Sequence, residues 1–319
     1  MIPAIGSWLE RCQIGVYFAA VLFGLLGARL VFPAGVLPKF ITPSLALMLF
    51  ATFLQVPVLQ LGRVFRQLRF LCTLMAVNFI LVPLLVLIVQ PLLSPDPIVR
   101  LAVFLVLLTP CIDYVITFAH VGRADAPLLL AATPLLLVLQ MLLLPIYLKI
   151  LLGETAVELL HMRPFIEAFI ALILIPLLLA ALLQYCSRYF MRARQLMNTL
   201  DILPVPATAV VLFVVVGAVA PQLAHAKSQA MHVAPIYVLF AVLAPIIGWW
   251  AARWARLSSA AARAVAFSAG TRNSLVILPL ALAIPAAQPL LPVLIITQTL
   301  VELLASLVYM QVMPRLRAS

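Results

Sequence analysis

The sequence predicts an all-α integral membrane protein with ten transmembrane helices. Of its 319 residues, 66% are apolar by type and only 9% are charged, whereas a soluble domain is about 45–50% apolar and about 25% charged. Each crossing takes about 20 apolar residues, so the chain has room for roughly ten crossings joined by short loops. This composition excludes a soluble enzyme, a nucleic-acid-binding protein, a disordered chain and a disulfide-rich secreted scaffold.

Ten apolar runs, bounded by charged or turn-forming residues, are the expected crossings. Proline or glycine interrupts the fourth, fifth and ninth of them. The runs cover residues 12–32, 40–61, 69–91, 98–121, 126–152, 164–187, 201–221, 230–252, 260–286 and 289–312.

The basic residues are divided unequally between the two sets of connecting segments. Thirteen lie in the set that includes both chain ends, six lie in the other set, and Arg272 falls inside a span. Because segments rich in lysine and arginine stay in the cytoplasm, both termini are expected there. The predicted location is a bacterial inner membrane, crossed many times.

Three charged residues lie well inside apolar runs, namely Asp113, Arg272 and Glu302. A charge at membrane depth costs about 2.5–3.5 kcal/mol on insertion scales and persists where it pairs or lines a watery cavity. Glu302 follows Gln298 by four residues, a spacing that places both side chains on one helix face. Glu302 is either a protonatable carboxylate near the transport path or a neutral group that holds helices together.

Asp113 and Arg272 stand in similar contexts about half a chain apart. Pro110 removes a backbone donor just before Asp113, and Arg272 lies in the polar, glycine-bearing stretch SAGTRNS. Such stretches predict unwound backbone that lines a cavity, since lipid cannot satisfy freed peptide groups. We hypothesise that Asp113 and Arg272 pair; the alternative is a structural kink with a salt bridge and no transport role.

Two interrupted helices at equivalent positions predict an inverted-repeat transporter with its site at the membrane midplane. The expected organisation is one transporter domain over 1–319, with a first repeat at 12–152 and a second at 164–312. The fourth and ninth helices are then the broken ones. The buried polar residues Asn78 and Gln140 are interpreted as hydrogen-bonding partners between helices.

The predicted substrate site draws residues from both interrupted helices. Cys111 is either a thiol ligand for a soft species or a small buried filler. No cofactor and no resident metal are expected. The substrate-binding candidates are Thr109, Cys111, Asp113, Thr271, Arg272 and Asn273, and the ion-coupling candidates are Asp113, Ser268 and Glu302.

The segments TPCIDYVITFAHVGRAD and FSAGTRNSLVILPLAL resemble the two crossover helices of the superfamily of bile acid:sodium symporters and arsenical-resistance carriers. The resemblance implies ten helices in two inverted five-helix repeats. It also implies a panel domain that moves against a core domain, with the fourth and ninth helices crossing at the substrate site.

The resemblance also assigns roles to single positions. Cys111 stands where arsenite carriers of the superfamily place a functional cysteine, whereas apolar Leu275 stands where they place an acidic residue. Asn273 matches an asparagine of the second crossover. Sodium-coupled members place ligands at positions that are occupied here by Val115, Ile116, Ser268 and Arg272.

The predicted function is secondary active transport of a small anion or an arsenite-like metalloid by alternating access. Since most side-chain sodium ligands implied by the resemblance are missing, a proton or the membrane potential is the expected driving force. A sodium-coupled organic-anion symporter is the alternative, and a channel or a membrane-embedded enzyme is more remote. The expected partners are the solute, the coupling ion and membrane lipid, without nucleic acid.

Overall fold

The computed structural model describes residues 2–31, 35–55, 66–112, 114–153, 167, 170–222, 226–282, 284 and 290–316. Across these ranges the regular structure is helical, apart from one isolated antiparallel bridge between Pro110 and Arg272. Asp113 lies outside the described residues, and so does the predicted pair that it forms with Arg272.

The helices are numbered in chain order over the described residues. α3 contains a π-helical turn at Val77–Leu81, and α7 begins with another at Ile170–Leu174. The helices are α1 Ile2–Val31, α2 Pro38–Gln55, α3 Leu68–Leu92, α4 Pro97–Leu107, α5 Val115–Val121, α6 Ala126–Leu152, α7 Ile170–Tyr189, α8 Met191–Leu200, α9 Pro204–Val219, α10 Lys227–Trp254, α11 Ser259–Gly270, α12 Ser274–Leu282 and α13 Leu290–Val312.

Five helices in the described part of the chain are long and apolar enough to cross a membrane, namely α3, α6, α7, α10 and α13. α8 and α9 qualify together as a sixth span that is bent by 50°. The protein is therefore a multi-pass membrane protein. Ten crossings, their orientation and the inverted repeat stay predictions.

Side-chain caps define where several helices begin. The Asp96 carboxylate accepts from the Ile98 amide at the start of α4, and the Asp125 carboxylate accepts from the Leu128 amide at the start of α6. Ser258 accepts from the Ala261 amide before α11. These contacts satisfy amide groups that a helix N-terminus leaves without partners.

The fifth apolar run forms one continuous helix, α6, although Pro134 and Pro145 lie inside it. Membrane helices tolerate proline where neighbouring groups satisfy the freed backbone. α6 also supports α3, because the Tyr147 hydroxyl donates to the Phe79 carbonyl at 2.6 Å within the π-helical turn.

The chain divides into two compact units, and each takes segments from both halves of the sequence. The first unit consists of Met1–Val56 and Met162–Ala224. Within it, α9 packs against α1 and α2, and α7 packs against α2. Gln184 of α7 donates to the carbonyls of Phe53 and Leu54 at 3.0 and 3.2 Å, which satisfies the end of α2.

The second unit consists of Pro57–His161 and His225–Ser319. Within it, α10 packs against α11 and α13, and α13 also packs against α4. α10 and α11 approach closely at Gly248, where a Cβ atom would lie 2.8 Å from the Ala269 Cβ atom. Glycine at this position therefore allows the two helices to touch.

Candidate functional site

Two breaks in helical structure meet in the second unit. α4 ends at Leu107 and α5 begins at Val115, while α11 ends at Gly270 and α12 begins at Ser274. Thr271 has extended dihedral angles. The structure thus places a break in each of the two stretches where the sequence predicts one.

The two breaks pair with each other as a short antiparallel bridge. The Cys111 amide donates to the Thr271 carbonyl at 3.2 Å, and the Asn273 amide donates to the Thr109 carbonyl at 2.8 Å. Unwound backbone within a membrane needs such partners, because lipid offers none. The bridge therefore brings together the substrate-binding candidates of both helices that the structure describes.

The Arg272 guanidinium is fully buried and is held by oxygen atoms of neutral groups. Its Nη1 atom donates to the Leu107 carbonyl at 3.3 Å. Its Nη2 atom donates to the carbonyls of Ser268 and Ala269, at 2.5 and 2.7 Å, and to Asn78 Oδ1 at 3.0 Å. These carbonyls lie at the C-terminal ends of α4 and α11, which carry the negative end of each helix dipole. Helix ends therefore stabilise this buried cation.

The Glu302 carboxylate of α13 contacts both breaks. Its Oε1 atom accepts from the Tyr114 hydroxyl at 2.8 Å. Its Oε2 atom accepts from the Arg272 backbone amide and from Gln298 Nε2, both at 2.6 Å. The Gln298 contact confirms that these two side chains share one helix face. Among the described residues, the hydrogen bonds of the carboxylate and those of the guanidinium go to different groups.

Several buried polar atoms at the bridge have no hydrogen-bond partner among the described residues. They include both side-chain polar atoms of Asn273, the Arg272 Nε atom and Gln298 Oε1. Buried polar groups are almost always paired, and an exception points to water, an ion or a ligand. The Asn273 carboxamide and Arg272 Nε therefore have hydrogen-bonding capacity that the described residues leave unused.

The other candidates at the bridge use their side chains differently. The Thr109 hydroxyl donates to the carbonyls of Leu105 and Val106, and the Thr271 hydroxyl donates to the Phe267 carbonyl. These two threonines stabilise the ends of α4 and α11. The Ser268 hydroxyl accepts from Asn78 Nδ2 at 3.0 Å.

Two residues of this site are not predicted from the sequence as functional. The sequence predicts Asn78 only as a hydrogen-bonding partner between helices; it forms such contacts, and one of them is with the Arg272 guanidinium. The sequence does carry a signal, since Asn78 is a polar residue within an apolar run. The structure adds that Asn78 lies in a π-helical turn, and such turns often occur at functional sites. Tyr114 bonds Glu302, which lies 188 residues away in the chain, and no local pattern indicates that contact.

The breaks, the bridge and the buried charges are the features of a membrane transporter. A model of the sodium bile acid symporter family matches residues 42–226, which is more than half of the chain. The match includes the first break and ends before the second. No curated protein matches the sequence. The chain belongs to the sodium bile acid symporter family.

Proposed function

We propose that the protein is a secondary active transporter that moves a small anion or an arsenite-like metalloid across a bacterial inner membrane. Alternating access is the proposed mechanism, with both termini in the cytoplasm. The observation that carries the proposal is the bridge between Pro110 and Arg272, where two interrupted helices meet beside polar groups that have no partner among the described residues. Interrupted helices of this kind form the solute sites of many secondary transporters.

The chemistry of the bridge favours a small anionic or oxygen-rich solute. Arg272 supplies a fixed positive charge, and its Nε atom has no partner in the part of the chain that the structure describes; the Asn273 carboxamide supplies a donor and an acceptor. The N-terminal end of α12 begins at Ser274, directly after these residues. Since the N-terminal end of a helix carries partial positive charge, it adds to the attraction for an anion.

Two solute classes compete for this site. Cys111 lies buried in the bridge and favours arsenite or a related soft species, because thiolates prefer soft metal species. Arg272 and the start of α12 favour an organic carboxylate instead. Leu275 is buried and apolar where the resemblance implies an acidic residue in arsenite carriers.

A proton or the membrane potential is the proposed driving force. Arg272 and Ser268 stand where the resemblance implies sodium ligands, and both are bonded within the protein, Arg272 to carbonyl oxygens and Ser268 to Asn78. The second candidate function is a sodium-coupled organic-anion symporter, which the family match favours.

The two compact units fit the panel and core domains that the resemblance implies. All the described residues of the candidate site lie in Pro57–His161 and His225–Ser319. We therefore assign the core role to the second unit and the panel role to the first. The two repeats, 12–152 and 164–312, each contribute to both units.

Arsenite accumulation in bacterial cells stripped of their own exporters tests the metalloid function. Wild type, Cys111→Ala and Cys72→Ala are compared at matched expression; Cys72 is exposed on α3 and serves as the matched control. We expect wild type and Cys72→Ala to lower accumulation, and Cys111→Ala to fail. Equal accumulation in all strains and in empty-vector cells eliminates arsenite export.

Uptake of organic anions into proteoliposomes then tests the remaining solutes. The measurements are made with a pH gradient, with a potassium diffusion potential, and with or without sodium. Uptake that requires sodium favours the second candidate function. If no gradient drives the uptake of any solute, the transport proposal fails.

A further inference from the structure

We propose that Glu302 is a proton-binding site, that the proton binds its Oε1 atom, and that proton binding favours the binding of an anion at the bridge. The inference rests on the proposed function, because it names the coupling reaction of the same site. It is carried by the three hydrogen bonds of the carboxylate and by the buried Arg272 guanidinium, which interacts electrostatically with it.

The two oxygen atoms of the Glu302 carboxylate differ in whether their partners can also accept a hydrogen bond. Oε2 accepts from a backbone amide and from a carboxamide, and neither of these nitrogen atoms can accept a hydrogen bond. Oε1 accepts from the Tyr114 hydroxyl. A proton on Oε2 would face two donors, so it has no acceptor there.

Oε1 differs from Oε2 because its partner is the Tyr114 hydroxyl, which can both donate and accept a hydrogen bond. When a proton from water binds Oε1, the Tyr114 hydroxyl can rotate and accept from the new O–H group. The contacts of Oε2 with Arg272 and Gln298 stay in place. One proton is thus added, no other bond is broken, and the site changes by a single positive charge.

This change in charge couples the proton to an anion. In the described arrangement the Glu302 carboxylate balances the Arg272 guanidinium within the same buried region, although they bond different groups. Protonation removes the negative charge that the described residues place near the guanidinium, so an anion binds more tightly. By reciprocity, the anion raises proton affinity by the same factor. A neutral solute such as arsenous acid lacks this coupling.

Protonation also weakens the connection between the two breaks. A charge-assisted hydrogen bond is roughly twice as strong as a neutral one, and Glu302 bonds Tyr114 in the first break and Arg272 in the second. Proton binding therefore loosens a contact that ties both interrupted helices to α13.

The other titratable or charged groups near Glu302 come from α13 and from the elements packed against it. Tyr309 of α13 and Arg272 interact electrostatically with the carboxylate. α12 carries no titratable residue. Among the described residues, the remaining groups of these elements are Arg100 of α4, Cys111 and Tyr114 of the first break, His120 of α5, Lys227, His232, Tyr237 and Arg253 of α10, and Arg315 of the turn after α13. Asp113, also in the first break, lies outside the described residues.

Infrared spectroscopy of the purified protein tests proton binding without any transport assay. The C=O band of protonated carboxylic acid is followed as the pH is lowered, in wild type and in Glu302→Gln. We expect a wild-type band that is absent from the variant spectrum. Identical titrations in the two proteins overturn the proposal.

Two tyrosine variants test the assigned atom and do not depend on the folding of Glu302→Gln. Tyr114→Phe removes the donor to Oε1, so the band should appear about one to two pH units higher than in wild type. Tyr237→Phe is the matched control, because its buried hydroxyl has no partner among the described residues. A band that moves equally in both variants, or in neither, contradicts the role of Oε1.

The outcomes also separate this inference from the proposed function. A Glu302 band that titrates as expected, in a protein that moves no solute, supports the proton site and counts against transport. Proton-driven transport with unchanged infrared titration in Glu302→Gln supports transport and overturns the proton site.

Discussion

Asn78 and Arg272 are 194 residues apart in the chain, and Arg272 Nη2 donates to Asn78 Oδ1 at 3.0 Å. The Asn78 amide group also donates to Ser268 Oγ at 3.0 Å and to the Leu74 carbonyl at 3.1 Å. A single carboxamide therefore joins α3 to the buried cation and to the end of α11. This contact makes α3 part of the candidate site.

Replacing Asn78 tests that role. We expect Asn78→Leu to lower the free energy of unfolding by about 1–3 kcal/mol, because it leaves buried polar groups without a partner. Ser268→Ala is the matched control, since Asn78 keeps its bond to Arg272, and its expected loss is about 1 kcal/mol. Thermal unfolding in detergent measures both. An effect of Asn78→Leu no larger than that of Ser268→Ala contradicts the expectation.

Arg272→Lys tests whether the planar guanidinium is required. Arg272 donates to four oxygen atoms through two nitrogen atoms, whereas an ammonium group is a single point with three donors. We expect the variant to lose about 1–3 kcal/mol of stability although the charge is kept.

Arg263→Lys is the control for Arg272→Lys. Its guanidinium also bonds main-chain carbonyls, those of Arg123 and Leu316, but at a partly exposed position. Water replaces lost hydrogen bonds there, so the drop in melting temperature should be smaller. Equal drops in the two variants would show that burial of the Arg272 guanidinium is unimportant.

Gly248→Ala tests the close approach of α10 and α11. The new methyl group would lie 2.8 Å from the Ala269 Cβ atom and 3.1 Å from both the Ala266 Cα atom and the Val265 carbonyl oxygen. Overpacking of this kind costs about 1–3 kcal/mol. In the double variant Gly248→Ala with Ala269→Gly, the tightest contact is removed, and part of the stability should return. A double variant less stable than Gly248→Ala alone would argue against this contact as the cause.

Gln184→Leu tests the packing of the first unit. The side chain of Gln184 donates to the last buried carbonyls of α2, at Phe53 and Leu54, and leucine cannot do so. The expected loss of stability is about 1 kcal/mol, read from thermal unfolding. Gln195→Leu, at an exposed position of α8, is the control and should change the melting temperature little. Equal melting temperatures for Gln184→Leu and Gln195→Leu would contradict this expectation.

Composition and local pattern are enough to predict several features of this protein. A chain that is 66% apolar must satisfy its backbone in lipid by helices, and proline and glycine mark where two of them are interrupted. Gln298 and Glu302 share a face because their spacing of four residues is set by helix geometry. The ten crossings and the Asp113–Arg272 pair are predictions that local pattern supports and the described residues do not test.

The groups that meet at the bridge depend on how distant parts of the chain pack together. Arg272 bonds Asn78 and Leu107, and Glu302 bonds Tyr114, across 194, 165 and 188 residues of chain. No local signal specifies such partners, because each contact requires that separate helices pack in one arrangement. The sequence located the buried charges because a charge in an apolar run is costly wherever the chain folds. Their neighbours followed from packing, which alone determines the oxygen atoms that surround a cation and the donors that surround a carboxylate.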